Sequence, residues 1–233
     1  MGKQHIVVLT GSGISAESGL KTFRDNGGLW ENHSVYDVAT PEAFAKNPEM
    51  VQRFYNMRRE QLGTVEPNEA HYSLARLEEH FKVTIITQNV DDLHERAGSS
   101  NILHLHGELR KVRSLRNPEL ILDWGYKPVE AGDKAPDGSG LRPHVVWFGE
   151  AVPAIPEAAQ ICYTADHLLV VGTSLVVYPA AGLVHEIQPG VNITVVDPGA
   201  MEESPIRHAE HIRESAAVAL PELIDKWIDK GMV

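Results

Sequence analysis

Short apolar runs, rich in β-branched residues and each next to a turn or helix signal, restrict this chain more than anything else in it. They cover residues 6–10, 83–87, 144–148, 168–171 and 193–197. A run that is apolar at successive positions has no face to turn to water, so it reads as a strand of a parallel sheet covered on both sides. Helical periodicity lies between several of them. Leu74, Leu77 and Phe81 share one face of a helix starting about Glu69. Ala180, Ala181, Val184 and Ile187 do the same after Pro179, which suits a first helical turn. Leu220, Leu223, Ile224 and Trp227 mark a further helix near the C-terminus. Strands alternating with helices predict an α/β fold, a Rossmann-like doubly wound parallel sheet.

Two stretches break the alternation and predict a smaller inserted module at the sheet's ligand-binding end. Residues 21–62 hold Gly27-Gly28 and then a helical patch over residues 48–62. Residues 111–142 are rich in Gly and Pro, with residues 130–140 reading as a loop. The expected division is a discontinuous Rossmann-like domain (residues 1–25, 69–110 and 142–233) and a small module (residues 26–68 and 111–141).

Composition narrows the function classes. The chain of 233 residues is 42% hydrophobic, enough to bury a core. Its 32 Asp and Glu against 21 Lys and Arg give a net charge of −11. Phosphate affinity comes from clustered Lys and Arg, so no nucleic-acid partner is expected. A single cysteine, Cys162, excludes an internal disulfide and a multi-cysteine metal site, and its apolar surroundings predict a small buried residue. No apolar run approaches the ~18 residues of a membrane span. The start, Met1-Gly2-Lys3-Gln4-His5, leads into too short an apolar run for a signal peptide, and Ile6 stands where myristoylation wants Ser or Thr. The expectation is a cytoplasmic protein that does not engage a membrane.

Chemistry concentrates where strands should end. Thr10-Gly11-Ser12-Gly13-Ile14-Ser15-Ala16 matches G-x-G-x-x-A between a strand and a helix, the pattern that lets backbone approach a pyrophosphate. A hydride-transferring enzyme should then show a second strand ending in an acid about 20 residues on. The region instead reads Thr22-Phe23-Arg24-Asp25-Asn26-Gly27-Gly28, a polar loop suited to closing over a ligand. Gln88, Asn89, Asp91 and Asp92 follow the second run, as candidates for ribose and carboxamide recognition and for capping the next helix. His104 and His106 alternate on one short strand, and His106 before Gly107 is a candidate general base. Gly172-Thr173-Ser174 and Asp197 end two further runs.

Taken in order, Gly11-Ser12-Gly13-Ile14-Ser15, Thr22-Phe23-Arg24, Gln88-Asn89-Val90-Asp91, His104-Leu105-His106-Gly107, Arg142-Pro143-His144-Val145-Val146-Trp147-Phe148-Gly149-Glu150 and Gly172-Thr173-Ser174-Leu175-Val176-Val177-Tyr178-Pro179 resemble a sirtuin over nearly the whole chain. The resemblance implies an NAD-dependent protein-lysine deacylase that moves the acyl group to ADP-ribose and releases nicotinamide. It implies His106 as the base, and Gln88, Asn89 and Asp91 around nicotinamide and its ribose. Phe23 and Arg24 match the covering loop, and Gly11, Ser12, Gly13, Ile14 with Gly172, Thr173 and Ser174 the diphosphate and ribose side. Asp197 matches a ribose contact, and Ala216 the adenine side. Val146, Phe148, Gly149 and Glu150 match an edge that pairs with an extended acyl-lysine peptide. Tyr55 and Arg58 share a helix face, and match the subclass that removes succinyl-type as well as acetyl groups, a phenol and guanidinium clamping a carboxylate.

The chain departs from the family in places. Most sirtuins hold a structural zinc on four cysteines in the small module. The first would fall near Ser114, and residues 107–141 contain no cysteine. No zinc is expected, the module being held by Leu115, Leu120, Ile121, Leu122 and Trp124. Ser12, Asp197 and Glu214 stand where Ala, Asn and Gly are common. A second reading is an ADP-ribosyltransferase or NAD glycohydrolase on the same scaffold; a third is a non-catalytic NAD-sensing module. A monomer is expected.

Overall fold

The computed structural model describes residues 2–20, 29–30, 33–199, 206 and 208–231. In chain order its elements are β1 (His5–Thr10), β2 (Leu29–Trp30), β3 (His33–Ser34), α1 (Val35–Val38), α2 (Pro41–Lys46), α3 (Pro48–Leu62) and α4 (Glu69–Leu77). Then come β4 (Lys82–Thr87), α5 (Leu93–Arg96), β5 (Ile102–His104), β6 (Gly107–Ser114), β7 (Ile121–Asp123) and β8 (Leu141–Val145). The last are α6 (Ile155–Tyr163), β9 (His167–Val171), β10 (Asn192–Val196), β11 (Glu210–Ile212) and α7 (Ala216–Lys230).

Six strands form one parallel sheet in the order β11-β10-β9-β1-β4-β5. β1 lies inside it and is buried at every position. Its alternate residues feed two cores, as strand geometry requires. Ile6 and Val8 pack with α4 and α7; Val7 and Leu9 pack with α6 and the 3-10 turn Ala180–His185. Cys162 sits in the second core, and burial pushes its thiol up to about 12. No helix among the described residues is long and apolar enough to cross a membrane.

Residues 144–148 are not a strand of this sheet. β8 ends at Val145 and pairs antiparallel with β6 in a separate three-stranded sheet, β7-β6-β8. The run is apolar because Val145 and Trp147 are buried under α1–α3, in a cluster with Val38, Phe54 and Leu62. Burial by a helical insertion and burial inside a doubly covered sheet leave the same sequence trace.

The small sheet also packs differently from expectation. Its core is Val112, Val129, Ala135 and Leu141, with Leu120, Leu122 and Trp124 against it. Leu115 and Ile121 are 51% and 41% exposed. Where the family would place zinc, one buried hydroxyl joins two turns. Ser114 Oγ donates to Asp137 Oδ2 at 2.6 Å, lies 2.7 Å from the Ser139 hydroxyl, and accepts from the N–H groups of Arg116 and Asn117 at 3.0 Å. The Ser114 hydroxyl, followed by the N–H and hydroxyl of Ser139, holds the Asp137 carboxyl down at about 2. Hydroxyls and one carboxylate are not a zinc ligand set, which calls for thiolates or imidazoles.

Two expectations follow. Ser114→Ala should lower the melting temperature by several degrees, while chelation of the wild type leaves it unchanged; an EDTA-induced drop would reveal a metal instead. The second concerns buried imidazoles. Burial holds His71 and His167 down to about 4. The unfolded chain takes up their protons below its ordinary value of 6.5 while the folded chain does not. Stability is therefore complete above pH 6.5 and falls as pH drops toward 4, by roughly 2 kcal/mol per residue at pH 5. Denaturant midpoints at pH 7 and pH 5 measure it, and equal midpoints would contradict it.

Candidate active site

The chain leaves β1 first toward β4 and β5, and later fills the other side with β9, β10 and β11. The crevice therefore opens where β1 meets β9, beyond their carboxyl ends. There the two loops touch backbone to backbone. Gly11 N donates to Val171 O at 3.0 Å, and Gly13 N to Gly172 O at 2.9 Å. A Cβ on Gly13 would stand 2.7 Å from Gly172 Cα, and Gly172 has φ +62°. The segment after the glycine loop is not the expected helix. It forms two 3-10 turns, Ser12–Ile14 and Ala16–Ser18, stopped by Gly19 in the left-handed region. Backbone donors, rather than the dipole of a long helix, are what this loop offers an anion.

A cavity of about 290 Å³ lies over this junction. Gln88, Asn89, Asp91 and His106 line it from the β4 and β5 ends; Gly11, Ser12, Gly172, Thr173 and Ser174 line it from the loops. Asn89 Nδ2 donates to Gly11 O at 3.1 Å and to Ser15 Oγ at 3.2 Å, and Ser15 Oγ donates to Asp91 Oδ2 at 3.0 Å. Gln88 Nε2 donates to Thr173 Oγ1 at 3.2 Å. Burial raises the Asp91 carboxyl above its ordinary range, against the bonds from Leu93 N and Ser15. Asp91 thus serves the next helix as well as the cavity.

Both histidines point Nδ1 at consecutive carbonyls. His106 Nδ1 is 2.9 Å from Gln88 O, and His104 Nδ1 is 3.1 Å from Asn89 O. A carbonyl can only accept, so each Nδ1 carries the hydrogen. For His106, in the cavity wall, Nε2 is then the basic nitrogen. Burial lowers its pKa, only partly offset by the bond to Gln88 O. His104 Nε2 instead meets Glu95 Oε1 at 2.7 Å, which outweighs burial and raises its pKa. His104 braces the loop, and Glu108 nearby pairs with Lys111.

The other end of the cavity is built by α3. Tyr55 and Arg58 line it, both buried, one turn apart. Burial raises the Tyr55 phenol above its ordinary value, so it stays protonated. The opposite wall is the segment after β8. Val146 N donates to His106 O, Trp147 N to Glu150 Oε2 and Phe148 N to Ala39 O, at 2.8–2.9 Å. Three successive N–H groups are thus taken by the protein, which leaves them with no hydrogen to offer an added strand. Phe148 stands 44% exposed at the rim. Glu150 touches the cavity, but Arg142 Nη1 and Arg113 Nη2 hold its carboxylate at 2.7 Å and 3.3 Å. It braces this wall.

Of the other expected residues, Gly13 and Ile14 lie behind the cavity, Ile14 being fully buried in the core. Asp197 is buried at the end of β10, where its Oδ1 accepts from Gly199 N at 2.8 Å, and Ala216 packs in the core at the start of α7. Neither borders the cavity. Phe23 and Arg24 lie outside the described residues. Ser15 and Trp147 stand within sequence motifs, but only spatial contact reveals their roles. The residues present fit a dinucleotide such as NAD, since glycine backbone offers close approach and the amides, hydroxyls and Asp91 offer partners for ribose and carboxamide.

Comparison with known proteins agrees with this geometry. A model of the Sir2 family matches residues 11–179. The NAD-dependent protein deacylase of Helicobacter pylori (strain ATCC 700392 / 26695) is 52% identical over 226 residues, covering 97% of this chain and 98% of that protein. The crystal structure of a Sir2 homolog–NAD complex superposes with a TM-score of 0.88 at 40% identity, covering 98% of this chain and 91% of that one. A Sir2 variant bound to deacetylated p53 peptide and 3'-O-acetyl ADP ribose has a TM-score of 0.76 at 30% identity, covering 99% and 95%. In fold, in the order of its motifs and in overall identity, this chain belongs to the Sir2 family.

Proposed function

We propose that this chain is an NAD-dependent protein-lysine deacylase in which His106 is the base and Tyr55 with Arg58 receives the carboxylate of succinyl-type acyl groups, acetyl groups also being accepted. The observation that carries the reading is the setting of His106, with Nδ1 tied to the Gln88 carbonyl and Nε2 as the nitrogen left for a proton in a cavity shared with the glycine loops. When bound, NAD would supply a ribose carbon for the acyl oxygen, with nicotinamide as the leaving group, and a hydroxyl to accept the acyl group, the lysine amine being released with uptake of one water. His106 Nε2 takes the proton from that hydroxyl. Gln88, Asn89 and Asp91 hold the nicotinamide end in register with it. Tyr55 and Arg58 lie at the cavity end lined by Leu20 and Leu62, apolar walls that suit an acyl chain ending in a charge. The Sir2 complex with peptide product and acetylated ADP-ribose supports the acyl-lysine substrate.

The base must be neutral to act. Because the folded pKa of His106 is lowered, kcat/KM should rise with pH through a value below 6.5 and be flat at neutral pH. A pH–rate profile measures this, and an acid limb centred above 6.5 would contradict it. His106→Ala should cost at least about a hundredfold in the rate at which acylated ADP-ribose forms from an acyl-lysine peptide. Mass spectrometry should find acylated ADP-ribose; ADP-ribosylated protein would favour the transferase reading. Arg58→Met should reduce kcat/KM for a succinyl-lysine peptide about tenfold or more beyond any loss on its acetyl counterpart. Equal losses would remove the clamp.

A further inference from the structure

We propose that Trp147 is a positioning residue for acyl selection: its indole N–H orients the Tyr55 phenol, and an Arg142–Glu150 clasp orients the indole. The inference rests on Tyr55 and Arg58 being the acyl-carboxylate clamp, and deepens that reading by naming what holds it.

The indole Nε1–H of Trp147 donates to Tyr55 Oη at 2.9 Å, and both residues are buried. A phenol oxygen that accepts a hydrogen bond in one direction has its own hydrogen directed into the others, so the donor decides where the phenol can donate. Their ring centroids are 6.3 Å apart and tilted by 41°, so packing also fixes the pair. The indole is held in turn. The Arg142 guanidinium lies 3.4 Å from the Trp147 ring centroid, and Phe44 packs 5.3 Å from it. Glu150 closes the clasp, accepting from Arg142 Nη1 at 2.7 Å, Arg142 Nη2 at 3.1 Å and Trp147 N at 2.8 Å. Arg142 Nη2 also donates to Val145 O at 3.1 Å, tying β8 to the same knot.

The consequence is a coupling of two recognitions. Residues 146–150 border the cavity where an extended peptide would lie, and Val146 N also holds the carbonyl of His106. Two residues of that segment, Trp147 and Glu150, set the phenol of the acyl clamp. Truncating the indole N–H should therefore alter acyl preference without touching any atom that contacts NAD. A group that binds the remote end of the substrate equally in ground and transition states changes KM rather than kcat.

The test measures kcat and KM for matched succinyl- and acetyl-lysine peptides on the full chain, in wild type, Trp147→Phe, Tyr55→Phe and the double variant. Trp147→Phe should raise KM for the succinyl peptide about tenfold more than for the acetyl peptide, with kcat ratios preserved, about the effect of one charge-assisted hydrogen bond. The double variant should be no less selective than Tyr55→Phe alone, because the indole then has no hydroxyl to orient. Equal effects on both peptides, or additive losses of selectivity, would overturn the proposal. Arg58→Met is run in parallel. If it preserves selectivity, the clamp reading fails and this inference with it; if it removes selectivity while Trp147→Phe does not, only this inference fails. Should Trp147→Phe not fold, Glu150→Gln loosens the clasp instead and must shift the succinyl-to-acetyl ratio in the same direction.

Discussion

The rest of the molecule depends on the contact between two glycine-bearing loops. β1 and β9 are neighbours, and the segments leaving them must cross at van der Waals distance before the chain can turn back over the sheet. Gly11, Gly13 and Gly172 allow this because none carries a Cβ, and a Cβ on Gly11 would collide with Thr173 at 2.7 Å. The junction seals the core below, where Ile14 is fully buried, and opens a strip of bare backbone above. Asn89, reaching from β4 to Gly11 O, and Gln88, reaching to Thr173, then stitch the third strand end to the same point. Structure and ligand recognition therefore draw on the same groups, and a side chain added at Gly13 would damage both.

Helix α3 shows how one short element serves two masters. Positions 55 and 58 face the cavity; positions 56 and 59 face the small sheet. Asn56 exchanges hydrogen bonds with the backbone of Val129 at 2.9 Å in both directions. Arg59, fully buried, donates to Leu109 O and Asn56 Oδ1, also at 2.9 Å, and burial lowers its pKa to about 10. A buried guanidinium is costly unless its donors are met by fixed acceptors. Such acceptors meet Nε, from β6, and Nη1, from the helix itself, while Nη2 is buried with no hydrogen-bond partner among the described residues. The helix is thus locked in rotation, and the lock points Tyr55 and Arg58 into the cleft.

Much of this was legible in the chain. The parallel strands were plain because both faces of β1, β4 and β9 are covered, which leaves unbroken apolar runs. The strand-end polar residues were legible because an open α/β sheet leaves them one place to go. What could not be read were features that depend on a partner far away in sequence. Val145 and Trp147 look like sheet residues but are covered by α1–α3. Glu150 looks like a rim carboxylate until Arg113 and Arg142 are seen around it. Leu115 and Ile121 look like core in a segment with few other apolar residues, yet Val129 and Ala135, from the intervening loop, fill it instead. Spacing carries the period of an element, not the identity of what lies across from it.

The small sheet makes the same point about stability. Three strands around four buried apolar residues form a marginal unit alone, and small units of this kind are commonly cross-linked by metal or disulfide. Here the cross-link is the Ser114 hydroxyl, with Asp137, Ser139 and two backbone N–H groups arranged around it. A hydrogen-bonded knot constrains the same two turns a metal would, but with weaker, individually breakable bonds that need no thiolate. Its reach extends to the cleft. Ser114 pairs with Leu141 at the start of β8, and β8 runs directly into residues 146–150. The Ser114 knot is therefore joined, through the strand that starts at Leu141, to the wall of the cavity.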